Sequence, residues 1–180
     1  MERKRLVRHL LGYILGISTF AVLIPSGLYE VSAAFDTRLR MGLINNSTLR
    51  VTISSLVFVI GLIFAIWSNI DLLRIGKGGP TDLFNVAVSP RTERLVVDGP
   101  YRYTRNPMVF GVLSIYFSLA IYMNSLATFL LLAAILPLTV LYLKRTEERR
   151  LYKDFGKEFV QYKRQVAMII PLLKRTRKKQ

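Results

Sequence analysis

The sequence predicts an all-α fold: a polytopic membrane helix bundle of about four transmembrane helices with a C-terminal interfacial helical segment, forming one domain over residues 1–180. Three observations predict it. First, the charges are segregated. Lys and Arg number 26, yet Leu10–Tyr29 and Val51–Ile70 are uncharged runs of 20 residues each, the length that spans a hydrocarbon layer about 30 Å thick. Second, Asn106–Leu143 is an uncharged run of 38 residues. As one helix it would extend about 57 Å, nearly twice that layer, so it must fold back on itself. Third, with an apolar fraction of 52% and a mean hydropathy of +0.35, three such regions, one of double length, overfill the core that a globule of 180 residues can build.

Each element follows from local chemistry. The first span covers about 10–31 and contains Pro25, which should kink it and free a carbonyl. Its apolar region is too long for a signal peptide, and no small-residue cleavage site follows it. The second span covers about 50–72. The link 74–106 holds Gly76, Gly78, Gly79, Pro80, Pro90, Gly99 and Pro100, which makes continuous helix improbable. Leu95–Tyr101 reads as a short extended piece entering a tight turn, so the link should lie against the membrane. The third span, 107–123, starts at Pro107, whose missing N–H is harmless at a helix start. Asn106 is then the N-cap candidate. That same helix start offers N–H groups and a positive dipole end to an anionic ligand group.

The long run hinges at Asn124-Ser125. The fourth span, 125–143, contains Pro137, a second expected irregularity. The third span is 17 residues, about 25 Å of helix, so tilt or local thinning of the bilayer is expected. Past the hairpin, Glu147, Glu148, Leu151, Phe155, Phe159, Tyr162 and Val166 recur at helical spacing, an amphipathic pattern broken by Gly156 into two short helices. Cytoplasmic or interfacial helices over 144–173, followed by a basic tail at 174–180, complete the chain.

Orientation follows from the distribution of basic residues. Twenty-three of the 26 Lys and Arg flank one side of the four spans, and only Arg38, Arg40 and Arg50 flank the other. The richer side should be cytoplasmic, with both termini on it, in a multi-pass protein of the cell membrane, or of the ER membrane if the source is eukaryotic. A net charge of +15 beside membrane spans points to anionic lipid headgroups rather than nucleic acid. No cysteine is present, which excludes disulfides, thiolate metal sites and cysteine nucleophiles. A lone His9 cannot build a metal site, so no metal is expected. No obligate protein partner is evident.

The fold-back brings Arg105-Asn106-Pro107 and Glu147-Glu148 to one face, at headgroup depth. The acidic pair alone would read as a solvated helix face. Beside Arg105 and Asn106 it reads as a polar pocket. Transport is poorly supported, because the spans carry no internal charge.

These residues also carry a resemblance. Gly78-Gly79-Pro80-Thr81, then Leu95-Val96-Val97-Asp98-Gly99-Pro100-Tyr101-Arg102-Tyr103-Thr104-Arg105-Asn106-Pro107-Met108-Val109-Phe110-Gly111, then Glu147-Glu148 with Leu151, Phe155-Gly156-Lys157-Glu158-Phe159 and Tyr162, and finally 166–171, resemble the isoprenylcysteine carboxyl methyltransferase and phospholipid methyltransferase family. The similarity covers about 74–173. The resemblance implies an integral membrane enzyme that uses S-adenosylmethionine in a pocket open to the cytoplasm. A lipophilic methyl acceptor (lipid, or lipidated thiol, carboxylate or amine) would arrive from the bilayer.

Carried over residue by residue, the resemblance implies cofactor contacts from Tyr101, Tyr103, Arg105, Asn106, Pro107, Met108, Gly111, Glu147 and Glu148. Arg105 and Glu148 would be the catalytic pair, with Glu148 the first choice for a direct contact. Gly111 would be the small residue that admits the cofactor to span three. Phe110, Lys163 and Arg164 would serve the acceptor. Prenylcysteine members usually carry His at the Asn106 position and Tyr at the Phe110 position, so both departures weigh against prenylcysteine as acceptor.

Direct in-line methyl transfer asks the protein mainly for orientation and a tuned environment. Two alternatives stand beside this reading: an NADPH-dependent membrane reductase related to sterol reductases, which the C-terminal arrangement also resembles although those enzymes have more spans, and a non-enzymatic small membrane protein of the same fold.

Overall fold

The computed structural model describes residues 14–39, 42–77, 82–83, 86–87 and 92–172. The expected start of the first span at 10–13, the Gly78–Thr81 part of the motif and the basic tail at 174–180 lie outside these residues. Within them the chain is an all-α membrane helix bundle. Three helices are long and apolar enough to cross a membrane: Ile14–Asp36, Ser47–Arg74 and a continuous run beginning at Leu126. Pro107–Tyr122 is a shorter apolar helix of 16 residues, about 24 Å long. Large apolar side chains such as Leu23, Ile63 and Leu138 stand on the outside, 53–68% exposed, as expected of surfaces that face acyl chains rather than water.

The first helix, α1 (Ile24–Leu39), continues a π-helical stretch, Ser18–Leu23. Pro25 explains what this stretch does. The Ile24 N–H bonds back to the Thr19 carbonyl, and the next position in that widened ladder is Pro25, which has no N–H to offer the Phe20 carbonyl. The Tyr116 hydroxyl donates to that carbonyl at 2.8 Å. The carbonyl freed by the proline is therefore satisfied from a neighbouring helix, as a dry interior requires.

Helix α2 (Ser47–Arg74) is capped by Asn46, whose side chain accepts from the Leu49 N–H at 2.9 Å. Its buried residues are Ser54, Gly61 and Ser68, spaced seven apart. They make a seam of small side chains against α3 (Pro107–Tyr122), whose own buried residues include Gly111, Ser118 and Ala120. The backbones touch here: a Cβ placed on Gly111 would lie 2.6 Å from the Gly61 carbonyl and 2.7 Å from the Ala65 nitrogen. Without a hydrophobic drive between helices in lipid, this close approach supplies the packing. The seam's hydroxyls are spent within their own helices, Ser54 on Val51 and Ser68 on Ala65 at 3.0 Å.

The expected hinge is present. Asn124 takes a positive φ of 56°, which Asn tolerates better than most residues. Its side-chain oxygen accepts from the N–H groups of Leu43 and Ile44 at 2.8 and 2.9 Å. Ser125 caps α4 (Leu126–Arg145), accepting from the Thr128 N–H at 3.0 Å. Asp36 of α1 accepts from the Ala127 N–H at 3.1 Å, adding an anion at that helix start. Leu28, Tyr116, Ala120 and Leu132 form the buried core between α1, α3 and α4.

Helix α5 (Glu147–Gln165) breaks at Gly156, with φ 50° and ψ −119°. Such dihedrals suit only glycine, so the amphipathic pattern does divide there. Among its described residues the link between α2 and α3 carries no α-helix. It holds a two-residue antiparallel ladder, β1 (Asp82–Leu83) with β2 (Val86–Ala87), and a 3₁₀ turn at Gly99–Arg102.

One expectation fails. Helical structure was expected to 173, but α5 ends at Gln165 and Val166 is extended. The β-branched Val166 and the apolar residues after it leave the helix to pair with the start of α3.

Candidate functional site

The site lies at the end of the bundle where α2 and α4 finish and α3 begins. Its entry turn depends on Gly99, which has φ +58°. A Cβ there would run into the Asp71 carboxylate and lie 3.0 Å from Trp67 Nε1. Gly99→Ala is therefore expected to lose about 1–3 kcal/mol, read as a lower unfolding midpoint in detergent.

After the turn, residues 103–106 run alongside 167–172 as a short parallel bridge, Thr104 with Ala167. The Arg105 N–H donates to the Ala167 carbonyl at 2.8 Å, and the Leu172 N–H to the Tyr103 carbonyl at 3.1 Å. The Thr104 hydroxyl and the Asn106 amide nitrogen both donate to the Met168 carbonyl, at 3.1 and 2.8 Å. Asn106 thus occupies the N-cap position but makes no capping bond with its side chain. Its amide is drawn away by the returning C-terminal segment. The first turn of α3 keeps its N–H groups uncapped by side chains, and Pro107 at its start has none to cap.

This clasp fixes Arg105. Its guanidinium Nη1 pairs with one carboxylate oxygen of Glu148, and Lys163 Nζ pairs with the other. The Arg105 and Glu148 side chains are only 10% and 8% exposed, while Lys163 remains half in solvent at 48%. Lys163 reaches Glu148 from 15 residues away, because the Gly156 break turns the second half of α5 back over the first.

Beside this cluster is an open-sided cavity of about 180 Å³. Its polar walls are Arg105, Asn106, Glu147 and Arg150, and its aromatic walls are Tyr101, Phe155 and Tyr162. Leu72, Met108, Val109 and Leu143, from the ends of three helices, supply apolar surface. The Glu147 carboxylate accepts from Arg150 at 2.6 Å. Burial nonetheless pushes its pKa above the ordinary carboxylate value, because desolvation penalises the charged form. Burial also raises the Tyr101 hydroxyl strongly, with Asp71 and Glu147 adding to the shift, so it stays protonated. The Tyr162 hydroxyl donates to the Tyr101 carbonyl at 2.7 Å and locks the aromatic wall.

Among the described residues, Arg105 Nε is a buried donor with no hydrogen-bond partner. A buried unsatisfied charged donor is costly, so it favours an acceptor beside it, whether water or a ligand group.

Several expected residues sit elsewhere. Glu148 is not a wall of the cavity: it stands behind Arg105, held by two cations, so the carboxylate that faces the cavity is Glu147. Gly111 faces Gly61 and Ala65, so its small size admits α2 rather than a ligand. Phe110 packs edge-on against Phe64 with centroids 4.9 Å apart, inside the α2–α3 contact. Tyr103 contributes its backbone to the clasp. Lys163 is engaged with Glu148, and Arg164 is exposed on the outer side of α5. Tyr101, Arg105, Asn106, Pro107, Met108 and Glu147 are brought together as cavity walls.

Arg150, Leu72, Leu151 and Phe155 also line the cavity, though none was singled out from the sequence for this role. The Glu147–Arg150 spacing of three was a visible signal, since such pairs meet on a helix.

No curated protein and no solved structure gives a significant match to the chain. A family model, phospholipid methyltransferase, matches residues 49–158, from the start of α2 through the hairpin and into α5, and so includes Arg105, Asn106, Glu147 and Arg150. With more than half of its length covered by that match, on the same elements that build the cavity, this membrane protein belongs to the phospholipid methyltransferase family.

Proposed function

We propose that the protein is an integral membrane enzyme that transfers a methyl group from S-adenosylmethionine to a lipophilic acceptor: a lipid, or a lipidated thiol, carboxylate or amine. On this reading the cavity faces the cytoplasm, as the 23 basic residues on that side of the spans suggest. The observation that carries the proposal is Arg105. Its guanidinium is nine-tenths buried, lines the cavity, and has an Nε with no partner. A carboxylate such as that of the cofactor's amino-acid arm satisfies such a donor with a charge-assisted bond.

The rest of the cavity fits the same occupant. Glu147 offers a carboxylate to hydroxyl or amino donors, and Tyr101, Phe155 and Tyr162 supply the aromatic surface that suits both a nucleobase and a cation. The enclosed volume of about 180 Å³ is below the roughly 300–1,000 Å³ of typical small-molecule sites, so a nucleoside extends through the open side. When bound, the cofactor supplies a sulfonium methyl that passes to the acceptor's nucleophile as the S–C bond breaks, leaving a neutral thioether.

The chain's own part is positional. Arg105 and Glu147 hold the polar groups of the occupant from two sides. The uncapped first turn of α3 turns its positive end toward the cavity wall formed by Pro107 and Met108. Leu72, Leu143 and Val109 exclude water from the side of the spans. Holding two reactants in line in this way is worth several orders of magnitude in rate.

The test is to incubate the purified protein with methyl-labelled S-adenosylmethionine and total membrane lipid. Label should appear in an extractable lipid or lipidated product. Absence of any labelled product, from protein that retains its fold, contradicts the proposal.

The raised pKa of Glu147 adds a pH signature. Its carboxylate form is lost at a higher pH than for an ordinary glutamate, so cofactor affinity should begin to fall above the usual carboxylate range as the pH drops. Titrations of S-adenosylhomocysteine binding from neutral pH down to the ordinary carboxylate range should show this decline, and Glu147→Gln should flatten it.

A further inference from the structure

The Lys163–Glu148–Arg105 cluster has a charge balance that a simple ion pair lacks. Arg105 and Glu148 alone would cancel, leaving a neutral pair at the cavity wall with little field for an anion. The third member restores a net positive charge. Lys163 comes from beyond the Gly156 break and takes the Glu148 oxygen that Arg105 does not use.

The other charged residues at the cavity add less to this field. Glu147 and Arg150 are paired with each other, and Arg94, which also lines the cavity, is exposed, so solvent screens its charge. Glu148 is buried, so its two contacts are shielded from water more than surface pairs are. Lys163 itself is half exposed, which weakens its influence without removing it.

We infer that Lys163 is a positioning residue that acts through Glu148. By sharing that carboxylate it keeps Arg105 electropositive toward the cavity, and so sets affinity for ligands that carry a carboxylate on a nucleoside thioether. This rests on the methyltransferase reading above and deepens it by assigning the recognition of the amino-acid arm to a three-residue relay. Lys163 never touches the ligand in this account. Its effect is therefore confined to ligands that carry the carboxylate of that arm.

The experiment compares two probes on the same detergent-solubilised full-length protein: S-adenosylhomocysteine, and 5′-methylthioadenosine, the nucleoside thioether without the amino-acid arm. Lys163→Met, which keeps the length of the stem, is expected to weaken S-adenosylhomocysteine by up to about fivefold, the scale of one half-exposed ion pair. 5′-Methylthioadenosine should keep its affinity, and that retention also reports an intact fold. Lys163→Arg should restore most of the difference, because a guanidinium can share the same oxygen.

Equal weakening of both probes in Lys163→Met, or no change in either, overturns the inference. A wild-type protein that binds neither probe overturns the methyltransferase reading instead, so the two failures are distinguishable.

Discussion

Glu148→Ala is expected to cost the protein both stability and ligand binding, although Glu148 does not line the cavity. The substitution leaves the Arg105 guanidinium, with a side chain 10% exposed, without its counter-ion. Removing one partner of a buried ion pair typically costs about 3–5 kcal/mol. Lys163 adds little to that cost, because its half-exposed ammonium is rehydrated. Ligand affinity should fall roughly a hundredfold, the consequence of a freed guanidinium that no longer holds its place at the wall. This loss is expected even though the cluster becomes more positive, which separates orientation from bulk field. Glu148→Gln keeps the shape and should fall between the two. The checks are denaturation in detergent and equilibrium binding of S-adenosylhomocysteine. Unchanged binding by a folded Glu148→Ala protein would show that Arg105 needs no support.

The second large effect is expected from Gly111→Leu, although Gly111 does not line the cavity. A Cβ at this position meets the backbone of α2 on two sides, the Gly61 carbonyl at 2.6 Å and the Ala65 nitrogen at 2.7 Å. No side-chain rotation relieves a clash with backbone, so the helices must separate. The cost should reach or exceed the upper end of the about 1–3 kcal/mol usual for overpacking. The same separation shifts Met108 on α3 relative to Leu72 on α2, both of which line the cavity, so binding should fail with it. Gly27→Ala is the matched control. Nothing lies within 4 Å of a Cβ there, and alanine in place of helical glycine should be neutral or slightly stabilising. Thermal unfolding of the two variants in the same detergent reads the difference.

Much of the fold was legible because lipid imposes simple rules on a chain. Uncharged runs of a span's length, a run too long for one span, and an Asn-Ser hinge inside it are all visible in the residues. Asn124 and Ser125 behave as their chemistry suggests, one tolerating a positive φ and the other capping a helix. Gly156 breaks the last helix for the same kind of reason.

What escaped the sequence depends on side-chain direction and on contacts between distant segments. Val166–Leu172 is apolar and follows a helix, so it reads as more helix. Its carbonyls instead serve Thr104, Arg105 and Asn106, more than 60 residues away in the chain. Asn106 looks like a cap, but that same segment takes its amide. Adjacent glutamates on a helix point about 100° apart, so only one of Glu147 and Glu148 can face a given cavity. The sequence holds no sign of which. Gly111 sits in a stretch resembling a cofactor motif, yet its neighbour is Gly61, whose partnership shows only when α2 and α3 are placed side by side.

The most direct test is equilibrium binding to the purified wild-type protein in detergent, with S-adenosylhomocysteine and NADPH measured on the same sample. The site described here predicts saturable S-adenosylhomocysteine binding that Arg105→Met weakens and that NADPH does not compete away. Saturable NADPH binding, with none for S-adenosylhomocysteine, would contradict it.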